Sequence, residues 1–335
     1  MKKNAFLIIA HNDPKQLSNL IESFPENSDV FIHLDIKSNI EEFKLENYSK
    51  QVHFIDERVN VSWGSISMVY AMINLLKAAI KQNVYKHLTF LSGNDYAIKN
   101  KKQIDYFFEH NENVELIRAY SISKSPCAHC HLKVEKTFYM DPILKNKKLD
   151  HIYRKIAGQI VSKLKNKHLI VNNKELEIFY GSQWFSLTYN AASYILEYID
   201  RYPEVIDFFK TSYAPDEMFF HTIFFNSPFA NNSMKNGPEK YSPIWNLNNY
   251  HYLSSDGLNC PTEQQVEKRT IKEKTTAVFV KEENQGIVKV LDMDDVLNLK
   301  NSDYIFARKF NSNKSEKLIE YLKLNQLKEN SNESR

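Results

Sequence analysis

"AFLIIAHNDPKQLSNLIESFPENSDVFIHLD", residues 5–35, is the stretch whose reading decides the fold. It opens on a continuous apolar run, Ala5–Ala10, which reads as a strand buried on both faces. Pro14 then stands near the start of a segment with apolar residues at helical spacing, the place where proline suits a helix. A second apolar run, Val30–Leu34, ends on Asp35. Strand, helix and strand in so short a span make a β–α–β unit, whose strands are parallel.

The alternation continues downstream. "QVHFID" (51–56) is a weaker strand, Ile66–Ile80 a strong helix and "HLTFLSG" (87–93) another buried strand. "KKQIDYFFEH" (101–110) returns to helix and "VELIRAY" (114–120) to strand. Such units predict an α/β fold with a mostly parallel central sheet and helices on both faces. Ligands of these sheets bind beyond the carboxyl ends of the strands, which directs attention to His11, Asp35 and Ser92–Asp95.

Residues 121–173 are lysine-rich and read as an excursion over the surface or the site. "LEIFYGSQWFSLTYNAASYILEYI" (176–199) reads as strand, turn and helix, and a helix is expected over 211–225. Residues 226–290 look loop-rich; a helical pattern at 292–299 and the compact "SDYIFARKF" (302–310) follow. A single domain over 1–312 and a polar, partly helical tail over 313–335 are expected. Within the tail, "SEKLIEYLKLNQL" (315–327) reads as a helix packed on the domain.

Bulk properties exclude several classes. A net charge of +3 on 335 residues is too small to make nucleic acid the main partner. No apolar run reaches the length of a membrane-spanning helix, so membrane contact is expected to be peripheral at most. Three cysteines make no disulfide framework, and a reducing cytoplasm, up to the inner face of the membrane, is the expected location. The basic run Lys145–Lys148 with Arg154 and Lys155 reads most simply as a solvated face, with an anionic glycan or a membrane surface as the alternatives.

Two motifs suggest metals and are read otherwise. "CAHCH" (127–131) has the C-x-x-C-H spacing, but its four candidate ligands are too bunched to close a zinc site and no second pair exists. It is expected to be a polar loop near the acceptor. "DMDD" (292–295) contains Asp-x-Asp inside a helical pattern, and a solvated first helical turn is the better reading. "PDE" (215–217) precedes an apolar helix. Proline and acidic residues are ordinary helix-start chemistry, and a catalytic base is the sharper alternative.

Seven motifs in order carry a resemblance: "AFLIIAHNDPKQLSNLI", "VFIHLDIKS", "RVNVSWGSISMVYAMINLL", "HLTFLSGNDYAIKN", "YGSQWFSLTYNAASYIL", "YAPDEMFFHTI" and "DYIFARKF". Together they span residues 4–310, and the chain resembles a bacterial member of the core-2/I-branching β-1,6-N-acetylglucosaminyltransferases, a family that includes the peptide O-xylosyltransferases. The resemblance implies a GT-A-type, Rossmann-like fold and inverting transfer from a UDP-sugar co-substrate to a glycan hydroxyl, with no metal or other cofactor. GlcNAc is the expected sugar, and anionic or lipid-linked glycans are among the expected acceptors.

By position, His11 and Asp35 match the uridine pocket, Gly93 and Asp95 the motif near the donor sugar and ribose, and Glu217 the catalytic base. Lys309 matches the residue that holds the diphosphate, with Arg308 beside it. Animal members carry an Arg about two dozen residues earlier; here the nearest cation is Lys289. Ala97 stands where the family usually has proline. Trp63 and Trp184 can each stack on a pyranose or fill core; Trp63, directly before a buried helix, is expected in the core, and Gln183, Trp184, Trp245 and Tyr252 are the expected acceptor contacts. The first helical turn is expected to keep Glu217 ionised, with Asp216 as the capping residue.

Overall fold

The computed structural model of the chain describes residues 3–44, 51–163, 168–242, 249, 251–254 and 289–332. Its first third alternates as the sequence predicts: β1 (Asn4–Ala10), α1 (Pro14–Glu22), β2 (Ser28–Leu34), α2 (Ile40–Lys44), β3 (Val52–Phe54), α3 (Ile66–Gln82) and β4 (His87–Ser92). β5 (Asp95–Ala97), α4 (Lys101–His110), β6 (Ala119–Ser121), α5 (Ala128–Glu135) and α6 (Lys147–Ser162) follow. Next come β7 (Leu169–Val171), β8 (Lys174–Leu176), β9 (Phe179–Gly181), β10 (Ser186–Thr188), α7 (Tyr189–Arg201), α8 (Glu204–Phe209) and α9 (Phe219–Phe225). β11 (Tyr252–Ser254), α10 (Val296–Lys300), β12 (Phe306–Arg308) and α11 (Glu316–Asn332) complete the described elements.

The central sheet has the order β10-β4-β1-β2-β3. β4, β1, β2 and β3 are parallel, and every residue of β1 and β2 is buried, as continuous apolar runs require. Alternation along β1 divides the core. On one face Phe6 stacks on Phe24 at 4.1 Å and meets Phe108 of α4 and Phe306 of β12 edge-on. Phe90, on the opposite face of the neighbouring strand, packs against Phe220 of α9. Each such ring contributes roughly 1.5–3 kcal/mol when fully buried.

The expected strand at 114–120 is shorter than its sequence suggests. Only Ala119–Ser121 pairs regularly, with β9, while Glu115 and Leu116 make single bridges to Ser233 and Ser186. β10 takes the place beside β4 instead. It runs antiparallel to β4, tied by a buried Thr89–Ser186 hydroxyl contact of 2.6 Å. A second sheet, β11-β12-β5, lies against the first and brings Arg308 into register with Asp95. α11 buries Leu318, Ile319 and Leu322 in a second cluster with Tyr96 and Phe310, so "SEKLIEYLKLNQL" does pack as a helix.

Candidate active site

The carboxyl ends of β1, β2 and β4 place the first group of residues. Gly93 follows β4 so closely on β1 that a Cβ there would stand 2.9 Å from the Ala10 methyl. His11 is exposed just past β1. Partial burial and then the Lys309 charge lower its pKa, with Asp35 opposing and Lys37 adding to the shift, so the ring feels all three charges. Asp35 accepts from the Lys37 and Val61 amides at 2.9 and 3.3 Å, and the Lys37 ammonium is 3.3 Å away. Arg58 fixes the loop after β2 by donating to the carbonyls of Leu34, Asp35 and Ser38. Lys309, half-buried after β12, makes no side-chain hydrogen bond or ion pair among the described residues.

Asp95 is placed differently from the expectation. Its side chain is 0% exposed. Oδ2 accepts from the Ser92 amide at 2.7 Å, Oδ1 accepts from the Tyr252 hydroxyl at 2.9 Å, and Arg308 Nε lies 3.8 Å away. Burial raises its pKa to about 7, against the opposing pull of Arg308. The Arg308 guanidinium lies 5.0 Å from the centre of the Trp184 ring, which stacks on Tyr252. Trp184 and Tyr252 are therefore buried supports of this cluster, and their rings are not laid open to an acceptor. Gln183, in the turn before Trp184, is half-buried; Trp245 lies outside the described residues.

Lys289 is also committed. Its ammonium sits 2.8 Å from Asp295 and 3.9 Å from Asp292. Those carboxylates form a reciprocal cap with the amides of Asp294 and Asp292, and Lys314 closes on Asp292 at 3.1 Å. "DMDD" is thus a helix start, as read from the sequence.

The second group gathers around Glu217. Residues 211–225 are not one helix: Pro215–Glu217 form a single 3-10 turn, Met218 breaks the path at φ −131°, and α9 begins at Phe219. Glu217 thus lies before α9, outside an α-helical first turn. The charge beside it is Lys133 from α5, whose Nζ donates to Glu217 Oε2 at 2.6 Å. The Tyr180 hydroxyl donates to the same oxygen at 2.8 Å. Burial alone would lower the Lys133 pKa, but the Glu217 carboxylate outweighs it and the net shift is upward. The rings of Tyr180 and Tyr213 lie 4.5 and 5.4 Å from the ammonium. Glu217 Oε1 has no partner among the described residues, and the side chain is 25% exposed. One oxygen is anchored and the other is open.

Asp216 does not cap. It is buried, its Oδ1 has no partner among the described residues, and burial, then the neighbouring Glu217, raises its pKa to about 7. Trp63 reverses the expectation too: it is 69% exposed, its ring edge-on to Tyr213 at 5.6 Å. The Ala214 amide donates to the Gly64 carbonyl at 3.0 Å, which ties the "SWGS" loop to the start of "PDE". "CAHCH" is the start of α5 and not a polar loop; Cys127 and Cys130 are buried and not joined in a disulfide, and Cys130 Sγ touches the Tyr120 hydroxyl.

Two partners of Glu217 have no sequence signal that ties them to it: Lys133, and Tyr180 within "YGSQW". Trp63 takes the exposed one of the two places its sequence allows.

The Core-2/I-Branching enzyme family model matches residues 4–277. Xylosyltransferase 2 of Rattus norvegicus is 21% identical over 240 residues, 69% of this chain and 26% of the rat protein; that of Mus musculus is 21% identical over 232 residues, 67% and 24%. The chain thus spans about a quarter of the length of the curated relatives it matches. Among solved structures, S. aureus TarS 1–349 is 14% identical, with 82% of this chain and 70% of that one aligned at a TM-score of 0.32, too low to carry an argument. Among the described residues, no helix is long and apolar enough to cross a membrane.

Proposed function

The chain belongs to the Core-2/I-Branching enzyme family, and from that premise we propose that it transfers a sugar, GlcNAc in the first instance, from UDP to a glycan hydroxyl with inversion. The observation that carries the reading is the half-open Glu217 carboxylate, with Oε2 held by Lys133 and Tyr180 and Oε1 unpartnered. Inverting transfer needs a base to take the acceptor proton as that oxygen attacks the anomeric carbon, and a fixed carboxylate with one open oxygen meets the need. The departing diphosphate needs positive charge, which Lys309 offers as an ammonium not committed to a side-chain partner among the described residues. His11 and Asp35, beside it at the strand ends, would face the nucleotide.

Metal independence belongs to the same proposal. The strand end after β4 carries "SGND" where many transferases place Asp-x-Asp, and the Asp-x-Asp of 292–295 is closed by Lys289 and Lys314. Lys309 takes the role of the cation, without Lys289. An acceptor sugar would lie on Trp63 beside Tyr213, within the same loop contact that holds "PDE".

The test is UDP release from a panel of UDP-sugars (GlcNAc, xylose and glucose) with a mixed glycan acceptor, with and without EDTA. The expected result is acceptor-dependent release that EDTA leaves intact, greatest with UDP-GlcNAc. Release from UDP-xylose alone would replace the sugar and keep the chemistry. Nucleotide-sugar binding without release would make the chain a binding protein instead.

A further inference from the structure

α6 is built inside out. Asp150, Arg154, Gly158 and Ser162 recur every fourth residue, so they form one stripe along the helix. That stripe is polar, and it is the docking face. Asp150 Oδ1 accepts from the amides of Ile143 and Leu144 at 2.7 and 2.8 Å. Arg154 donates to the carbonyls of Tyr139 and Met140, both at 2.9 Å. Gly158 lies so near the Thr137 carbonyl that a Cβ would stand 2.8 Å from it, and Ser162 Oγ accepts from the Thr137 amide at 2.7 Å.

The opposite stripe, Leu149, Ile152, Tyr153, Ile156 and Ile160, is apolar, and each of its side chains is between 49% and 60% exposed. A surface helix of a water-soluble fold normally shows the reverse arrangement. Five large apolar residues on one exposed face form a patch of the kind that marks a contact surface. The charge around it names the partner. Lys145, Lys147, Lys148, Lys155 and Lys163 are exposed and make no ion pair among the described residues, while the one acidic residue of α6, Asp150, is buried against Arg154. A second copy of the same face would bring these lysines together, so self-pairing is opposed. An anionic bilayer satisfies both halves: apolar side chains enter the acyl boundary and lysines meet the headgroups.

We propose that α6 is an interfacial helix that seats the protein on an anionic lipid bilayer. The inference does not depend on the catalytic reading, since it rests on α6 alone. It has a consequence for access, because α6 grips Tyr139 and Met140, and the Met140 side chain lies beside Gly64 in the Trp63 loop. A seated molecule would hold that loop near the bilayer.

The test is co-sedimentation of the full chain with vesicles of equimolar phosphatidylglycerol and phosphatidylcholine, against phosphatidylcholine alone. Binding is expected to the anionic vesicles and to weaken with salt. The triple variant Ile152→Ser, Ile156→Ser, Ile160→Ser should lose at least tenfold in partitioning with an unchanged circular dichroism melt, since these side chains are already exposed. Each of Lys148→Ser and Lys155→Ser should lose about fivefold. As a second readout, Ile156→Trp should shift its emission to the blue on anionic vesicles. Absence of binding at low salt would overturn the proposal. So would a wild-type dimer in solution that the triple variant converts to monomer, which would assign the face to a second copy. Binding of wild type and triple variant alike would overturn it by moving the contact elsewhere.

Discussion

Asp95 and Glu217 are surrounded by the same three kinds of group and are left in opposite conditions. Each carboxylate accepts from a tyrosine hydroxyl (Tyr252 at 2.9 Å, Tyr180 at 2.8 Å) and faces a cation, Arg308 or Lys133, that lies over an aromatic ring. At Asp95 both oxygens are used and nothing is exposed, so the cluster ties β5, β11 and β12 together. At Glu217 one oxygen is used and the other is open. The difference between the two is one donor: the Ser92 amide occupies the second oxygen of Asp95, and no group among the described residues occupies the second oxygen of Glu217.

The sharpest way to break the comparison is to remove the proton acceptor at each site. Glu217→Gln keeps the size and an oxygen for Lys133 and Tyr180, and should lower turnover by roughly 10²–10⁴-fold while UDP binding by calorimetry persists. Asp95→Asn keeps an acceptor for Tyr252 and should leave turnover within a few-fold of wild type. If the Asp95 variant lost the larger share of activity, the roles assigned to the two clusters would be exchanged.

Next in size is Lys309→Ala. Loss of a charge-assisted contact to the leaving group should cost about 2–4 kcal/mol of transition-state stabilisation, by analogy with removal of an oxyanion donor, and UDP affinity should fall with it. Unchanged UDP affinity would remove Lys309 from the diphosphate. Lys289→Ala serves as the contrast. Its ammonium closes the acidic helix start, so the loss should appear in thermal stability and leave UDP binding intact.

Asp95 and Asp216 also share a pH signature. Burial raises both carboxyl pKa values to about 7, above those of the unfolded chain. Between about pH 4 and pH 7 these two groups therefore hold protons in the folded chain that they have released in the unfolded one, and their contribution to stability falls as pH rises through this window. One such group gives at most about 1.4 kcal/mol per pH unit. The buried His87, His221 and His251, lowered to about 4, 3 and 3, act in the opposite sense up to about pH 6.5, so the readable quantity is the difference between wild type and Asp216→Asn. The melting temperature of wild type relative to the variant should fall as pH rises from 5 to 8; a difference that did not change with pH would mean that Asp216 is ionised in the folded state.

How much of this was legible follows from how local each signal is. Continuous apolar runs in β1, β2 and β4 dictated parallel buried strands, and the end of β4 could be read at "SGND" because the apolar run stops there. The partners of the two carboxylates were not readable. Lys133 reaches Glu217 across 84 residues and Tyr252 reaches Asp95 across 157, and nothing in either neighbourhood encodes the meeting. The break at Met218 was hidden for another reason: "PDEMFF" has sound helix-start chemistry, and backbone geometry that no propensity expresses places the turn ahead of α9.

Trp63 was misread because a tryptophan next to a buried helix is core by composition, whereas its exposure depends on a loop path fixed by the Gly64–Ala214 hydrogen bond. It supplies the smallest effect. A ring 69% exposed and set edge-on to Tyr213 presents a flat apolar face on the loop that is tied to the start of "PDE". Sugars present C–H faces that pack on such rings, and aromatic contacts of this kind contribute about 0.5–1.5 kcal/mol. Trp63→Ala should raise the acceptor KM several-fold and leave the donor KM and the melting temperature unchanged, because the exposed side chain buries little and its ring contact is with Tyr213. Trp184→Ala is the matched control. That ring is buried under Arg308 and Tyr252, so its removal should lower the melting temperature and disturb the donor side first. If Trp63→Ala changed the donor KM instead, the exposed ring would belong to the nucleotide side, and the acceptor would have to approach Glu217 from another direction.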